Sequence, residues 1–167
     1  MKKVIIILFV FMVCAVFINE EKKILIPENS IRFRVIANSN KEEDQKLKIE
    51  IKNEVEKELY KLIGSSKTIE DARNRISNNL STVDNILKKY NIHYDISYGN
   101  NFFPKKEYKG VNYDEGEYES LVITLGEGLG KNWWCVLFPP LCLLDSQEDL
   151  TNVEYKLYAN KIINKFK

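Results

Sequence analysis

Two cysteines and one histidine are the residues of this 167-residue chain best suited to covalent chemistry. Cys135 and Cys142 flank a Phe-Pro-Pro sequence. If the chain turns there, the two cysteines face each other across a hairpin at a distance that a disulfide bridges. The alternative is a reactive thiol paired with His93, but no third group in the sequence would orient such a dyad. We therefore predict a disulfide and no catalytic residue.

A glycine-rich segment precedes the cysteines and resembles a phosphate-binding loop at first sight. Gly126, Gly128 and Gly130 follow a predicted strand and are followed by Lys131. Phosphate loops present backbone N–H groups at the start of a helix, whereas here two tryptophans and a Pro-Pro pair come next. The glycines are therefore expected to let the strand turn sharply, and no nucleotide or other cofactor is predicted.

An acidic stretch offers a second kind of chemistry, because it could supply calcium ligands or an acid–base pair. It contains Asp114, Glu115, Glu117 and Glu119. Calcium loops alternate oxygen ligands around a turn, whereas Glu117 and Glu119 lie on one face of a predicted strand, which favours a solvated strand edge. No metal site is predicted.

Two adjacent tryptophans suggest a binding surface. In an extended backbone Trp133 and Trp134 point to opposite faces, so one of them is expected to face outward. Beside Phe138, Pro139 and Pro140 it would form a rigid aromatic patch suited to a protein partner. Packing of that tryptophan in the core is the alternative.

The start of the chain differs from the rest in charge and hydropathy. The whole chain has 25 Lys plus Arg and 24 Asp plus Glu, and this balance disfavours nucleic acid as a partner. Residues 1–19 hold two lysines and no acid, and residues 4–18 are 15 apolar residues in a row. This pattern predicts a signal peptide or membrane anchor that enters the membrane at least transiently. Cleavage and anchoring both remain open.

The remaining pattern predicts a linker at 20–30 and a single exported domain at 31–167. Apolar periodicity predicts strands at 30–37, 92–98 and 117–125, helices at 40–63 and 68–90, a turn at 99–101 and a helix that starts at Thr151. This order indicates an α+β fold with two layers, in which helices pack on a largely antiparallel sheet.

Four segments resemble one known family. They are RVIANSNKEEDQKLK at 34–48, FPKKEY at 103–108, GEYESL at 116–121 and GEGLGKNWWCVLFPPLC at 126–142. The chain is similar in these segments, and from about residue 31 to 145, to the stage II sporulation protein R family of endospore-forming Firmicutes.

The resemblance implies a signal rather than an enzyme. Proteins of this family are made in the forespore and exported to the space between the septal membranes. There they trigger a mother-cell membrane protease, stage II sporulation protein GA, to process pro-sigma-E. The expected contacts are the aromatic patch and a second surface at Asn38, Asp44 and Gln45. A cell-wall hydrolase that uses Glu127 or the acidic stretch, and a structural module, are the alternatives.

Overall fold

The computed structural model describes residues 24–27, 29–108, 111–142 and 152–166. The elements are β1 (Ile24–Leu25), β2 (Ile31–Ile36), α1 (Glu42–Ile63), α2 (Ile69–Ser77), α3 (Leu80–Leu87), a 3-10 turn (Lys88–Tyr90), β3 (Tyr94–Phe103), β4 (Lys106–Tyr108), β5 (Val111–Tyr113), β6 (Gly116–Leu125), β7 (Asn132–Phe138) and α4 (Asn152–Lys165). The predicted α+β class is confirmed. No helix in these ranges is long and apolar enough to cross a membrane. The predicted signal segment at 1–19 and Thr151 lie outside them.

The main sheet has four strands in the order β3-β6-β2-β7. Strand β6 pairs antiparallel with β3, and β2 pairs antiparallel with β7. The central pair, β2 and β6, is parallel, with Phe33 opposite Leu121 and Val35 opposite Ile123. The sheet is therefore mixed but mostly antiparallel, and the carboxyl ends of β2 and β6 lie at the same edge.

The helices cover one face of this sheet. Along β2, Ile31, Phe33 and Val35 all point to that face and are fully buried, as expected for the period of two of an extended chain. From α1, side chains at helical spacing meet them, including Ile51 and Val55. Burial of these apolar side chains is the main force that holds the helix layer on the sheet.

A second, smaller core lies on the opposite face. A three-stranded sheet in the order β1-β5-β4 and helix α4 contribute to it. Its buried members are Ile26, Val111, Tyr113, Val136, Leu141, Ala159 and Ile163. The sheet is thus covered on part of its second face, an addition to the two layers that the sequence predicted.

Two local predictions were wrong. The helix predicted at 68–90 begins as expected, with the Thr68 side chain accepting from the Asp71 N–H, but it breaks after Ser77. There the Asn79 side chain donates to the Arg75 carbonyl oxygen at 2.8 Å, a local bond that competes with helical pairing. The turn predicted at 99–101 is instead part of β3, because β6 pairs with these residues and Asn101 donates to the Ser120 hydroxyl at 3.0 Å.

Candidate functional site

Several chain segments meet at the edge of the main sheet where β2 and β6 end. Because these two strands are parallel neighbours, the segments after them, 37–41 and 126–131, leave the sheet side by side. Strand β3 is antiparallel to β6 and starts at this same edge, directly after His93. Two of the segments that carry the family resemblance, 34–48 and 126–142, therefore come together here.

Asn38 joins these segments. Its side-chain Oδ1 accepts from the Glu127 N–H at 3.0 Å, and its carbonyl oxygen accepts from the Leu129 N–H at 3.0 Å. Asn40 makes a similar link, because its Oδ1 accepts from the Lys131 N–H at 2.8 Å. Asn40 was expected to help start the next helix, but the N-cap position of α1 is Lys41. The two asparagines instead fix the glycine-rich loop against the end of β2.

The glycines of that loop are required by this close approach. Gly126 has a left-handed backbone, with φ of 56°, and a Cβ there would overlap the Asn38 side chain. A Cβ at Gly130 would overlap the carbonyl oxygen of Ser39. The sharp turn expected from the sequence is confirmed.

Asp44 anchors the other side of the site from the first turn of α1. Its carboxylate accepts hydrogen bonds from the Ser39 hydroxyl and from the Asn38 amide, the latter at 3.1 Å. These bonds, chiefly the one from Ser39, hold the pKa of Asp44 below its ordinary value. Gln45 donates to the Ser39 carbonyl oxygen at 2.8 Å. All three sequence-predicted residues, Asn38, Asp44 and Gln45, therefore belong to one network.

Lys48 extends the network into the interior. It is only 5% exposed, and its ammonium donates to Gln45 Oε1 at 2.7 Å and to the Lys131 carbonyl oxygen at 3.2 Å. Burial lowers the pKa of Lys48, and the nearby positive charge of Lys131 lowers it further. Lys48 thus links α1 directly to the glycine-rich loop.

A partly enclosed cavity of about 230 Å³ opens at this edge. We call it the sheet-end site, and it is lined by Asn38, Asp44, Leu47, Ile92, His93, Leu125 and Gly126. The cavity has an apolar wall, a carboxylate and an exposed imidazole at the rim. This combination suits a side chain with an apolar body and a hydrogen-bonding end.

The tryptophans lie on opposite faces of the sheet, as predicted, but both are half-buried. Trp133 packs edge-on against Phe33 in the helix-side core, at 5.7 Å between ring centroids. Trp134 packs against Phe103 and Tyr113 on the second face, at 5.3 Å from each. The second core thus covers the face that was expected to be open.

The Phe-Pro-Pro turn that follows the tryptophans is also largely buried. Phe138 is only 4% exposed and packs on Phe166, and Pro139 is buried, while Pro140 is partly exposed. The expected exposed aromatic patch is not formed in the described arrangement. A contact of these residues with a partner stays a prediction.

Cys135 and Cys142 form a disulfide, with 5.4 Å between their Cα atoms. The hairpin that was expected to bring them together is absent from the described residues, because Cys142 follows the turn at Pro139 and Pro140 and lies in no strand. The alternative Cys–His93 dyad is not formed either, since both sulfurs are bonded to each other.

The acidic stretch does not converge on one point. Asp114, Glu115 and Glu117 are exposed, as expected for a solvated edge. Glu119 instead faces the helices, where it accepts from Arg73 at 2.8 Å and from the Tyr98 hydroxyl at 2.6 Å. Burial raises the pKa of Glu119, but these hydrogen bonds outweigh it and the net direction is downward.

Sequence reasoning placed neither Leu47 nor Ile92 in a site, and it considered His93 only as the partner of a reactive thiol. Leu47 reads as part of an apolar helix stripe, and Ile92 as part of a strand. Only the packing of α1 beside the start of β3 brings them to one cavity.

The described residues thus form an α+β domain with a loop-braced cavity at one end of its main sheet. The chain belongs to the stage II sporulation protein R family, whose sequence profile matches residues 27–148. It is 41% identical over 133 residues to "Stage II sporulation protein R" of Bacillus subtilis (strain 168). That alignment covers 76% of this chain and 59% of the relative, so the chain spans less than two thirds of the relative's length. No solved structure matches the chain.

Proposed function

We propose that this sporulation protein is an exported signal that activates a membrane-embedded protease of the stage II sporulation protein GA type. The activated protease then removes the pro-sequence of sigma-E. In this proposal the chain is made in the forespore and acts in the space between the two septal membranes. Membership of the stage II sporulation protein R family supports the sporulation role. The chain acts by binding, and it catalyses no reaction itself.

Two features support an extracytoplasmic role. Residues 4–18 are apolar and follow two lysines, the pattern of a segment that directs export or anchors a domain to the membrane. The Cys135–Cys142 disulfide is typical of proteins in oxidising compartments. Residues 1–19 would thus deliver the domain, and the linker at 20–30 would separate it from the membrane surface.

The observation that carries the proposed contact is the sheet-end site. It lies where two of the family-resembling segments meet, and His93 is exposed at its rim. Its volume of about 230 Å³ is below the ~300–1,000 Å³ of most small-molecule pockets, which favours a side chain of a protein partner. The Asp44 carboxylate beside the apolar wall of Leu47 and Leu125 suits a lysine or arginine from an extracytoplasmic loop of the protease.

The hydrogen bonds around Asn38 and Asn40 make this surface suited to act as a signal. A contact surface that is already ordered loses little conformational entropy when it binds. A bound ligand shifts its target only if it binds the active state more tightly than the resting state. In our proposal the sheet-end site therefore binds the active arrangement of the protease more tightly than the resting one.

The test is co-expression of the full-length chain with the protease and pro-sigma-E in a cell that does not sporulate. The wild-type chain should give processed sigma-E. His93→Ala removes a side chain at the rim of the cavity and should leave the fold intact. The hydrogen bond that Gly126 N–H donates to His93 goes to the backbone carbonyl oxygen, which the substitution keeps. This variant should bind the protease about tenfold more weakly and give correspondingly less processing.

The matched control is Asp95→Ala, an exposed position two residues further along, outside the cavity. It should process as the wild type does. If the wild-type chain gives no processing, the proposed function is wrong. If His93→Ala processes normally while it is equally folded, the function stands and the sheet-end site is not the contact.

A further inference from the structure

A buried cluster of metal-type ligand atoms lies beneath α1, away from the sheet-end site. Glu56 of α1, Cys135 of β7 and Cys142 each bring one ligand atom, and these three atoms lie within 4.8 Å of one another. All three residues are buried. Two sulfurs and one carboxylate oxygen form a ligand set that zinc accepts.

Glu56 is the unusual member of this cluster. One carboxylate oxygen, Oε2, accepts from the Lys52 ammonium at 2.8 Å. The other, Oε1, is buried and has no hydrogen-bond partner among the described residues, and the residue as a whole is only 7% exposed. A buried acceptor without a donor is costly, so the position calls for a ligand. The nearby sulfurs cannot donate while they form a disulfide.

We propose that, when the two cysteines are reduced, Cys135, Cys142 and Glu56 bind a zinc ion. Two thiolates, one carboxylate and the Lys52 ammonium together carry two negative charges, which balance Zn²⁺ inside the protein. Tetrahedral Zn–S bonds of ~2.3 Å require sulfurs about 3.8 Å apart. The 5.4 Å between the Cα atoms allows this separation by side-chain rotation alone.

The disulfide and the zinc site are two exclusive states of the same pair. A newly made chain holds both cysteines as thiols, and zinc binding releases their two protons. A disulfide-containing oxidant then takes two electrons from the two thiolates. The Cys135–Cys142 bond forms, the disulfide of the oxidant breaks and takes up two protons from water to become two thiols, and Zn²⁺ leaves. Oxidation would thus exchange a metal cross-link for a covalent one at the same place.

The experiment uses the full-length chain in detergent, oxidised or reduced with a phosphine, which becomes a phosphine oxide with oxygen from water. Zn²⁺ affinity is measured by competition with a chromophoric chelator. The reduced chain should bind one Zn²⁺ and the oxidised chain none. Co²⁺ in place of Zn²⁺ should give a sulfur-to-metal charge-transfer band. Absence of Zn²⁺ binding by the reduced chain would overturn the proposal.

The variant that tests the third ligand is Glu56→Gln, which keeps the side-chain volume. It should weaken Zn²⁺ binding by at least ~10- to 100-fold. Glu58→Gln is the matched control, because Glu58 lies on the same helix and pairs with Lys61 at the surface. It should leave the affinity unchanged. Equal Zn²⁺ affinity of Glu56→Gln and wild type would show that Glu56 is no ligand and overturn the three-ligand site.

The far-ultraviolet circular dichroism of the reduced chain is followed in parallel. If reduction alone lowers the helical signal, Zn²⁺ should restore it in the wild type and in Glu58→Gln but not in Glu56→Gln. Failure of Zn²⁺ to restore a lost signal in the wild type would count against the proposal as directly as absent binding.

Discussion

Two neighbouring residues of strand β2, Phe33 and Arg32, are buried equally deeply on opposite faces of the sheet but in different surroundings. On the helix side, Phe33 is fully buried among aliphatic residues and Trp133. On the other side, Arg32 is also fully buried, and its guanidinium carbon lies 3.3 Å from the ring centroid of Tyr118. The rings of Phe103 and Trp134 lie at 5.2 and 5.8 Å.

The guanidinium group of Arg32 lies against aromatic rings, and the described residues form no salt bridge with it. All three of its guanidinium nitrogens are buried, and in the part of the chain that the structure describes none of them has a hydrogen-bond partner. Burial accordingly lowers its pKa, and interactions with Tyr118 offset only part of that effect. Attraction between a cation and the faces of aromatic rings compensates some of the lost hydration. We therefore expect these two equally buried side chains to contribute unequally to the stability of the fold.

Of the substitutions that test this comparison, truncation of Phe33 should cause the largest loss of stability. Phe33→Ala removes a ring from the centre of the larger core and should lower the free energy of unfolding by ~3–5 kcal/mol. Urea unfolding followed by tryptophan fluorescence measures this. A loss below about 1 kcal/mol would mean that the helix-side core does not dominate stability.

The opposite face should respond much less to loss of its charge. Arg32→Met keeps an unbranched side chain among the same rings, removes the unpartnered nitrogens and also removes the cation–π attraction. These effects oppose each other, so the free energy of unfolding should change by less than about 1 kcal/mol. The same urea titration tests it. A large loss would reveal that the guanidinium stabilises the second face far more than ring stacking explains.

A third effect, also small, concerns the polar edge of the helix side. Glu119→Gln weakens the bonds that Arg73 and Tyr98 donate and should cost about 1 kcal/mol near pH 7, since Arg73 is 41% exposed. Glu117→Gln, at an exposed neighbouring position, is the control and should be close to neutral.

The stability that Glu119 contributes should depend on pH in a definite direction. The pKa of Glu119 is lowered in the folded protein. The stability that ionised Glu119 contributes is therefore fully present above its ordinary pKa of 4.5. It is lost as the pH falls through the lowered pKa of the folded protein. The difference between Glu119→Gln and the wild type should shrink as the pH is lowered below 4.5. A difference that is constant with pH would exclude this ionisation as its source.

Much of the fold follows from short-range pattern. The alternation at 31–36 predicts which side chains share a face, and the four-residue spacing from Leu47 to Leu59 predicts the buried stripe of α1. The spacing of Cys135 and Cys142 predicts a disulfide that the structure contains. Side-chain direction in strands and helices is set by backbone geometry, so these features need no knowledge of distant contacts.

Other local predictions were wrong because the residues concerned bind partners far away in the sequence. Gly99 and the asparagines after it read as a turn, but pairing with β6 extends the strand through them. Asn40 reads as a helix start, but it binds the Lys131 N–H, 91 residues away. Local propensity is weaker than a set of long-range hydrogen bonds, and it gives way where the two disagree.

The sequence by itself determined which side chains lie on each face, the paired cysteines and the family. Only the tertiary structure decided that β2 runs parallel to β6 at the centre of the sheet, which brings Asn38 to the glycine-rich loop. It also decided that α1 packs where Glu56 lies beside Cys135 and Cys142. The physical reason is that the repeat of a strand or helix sets the direction of each side chain locally. The depth to which a side chain is buried and the groups it meets depend on distant elements that pack together.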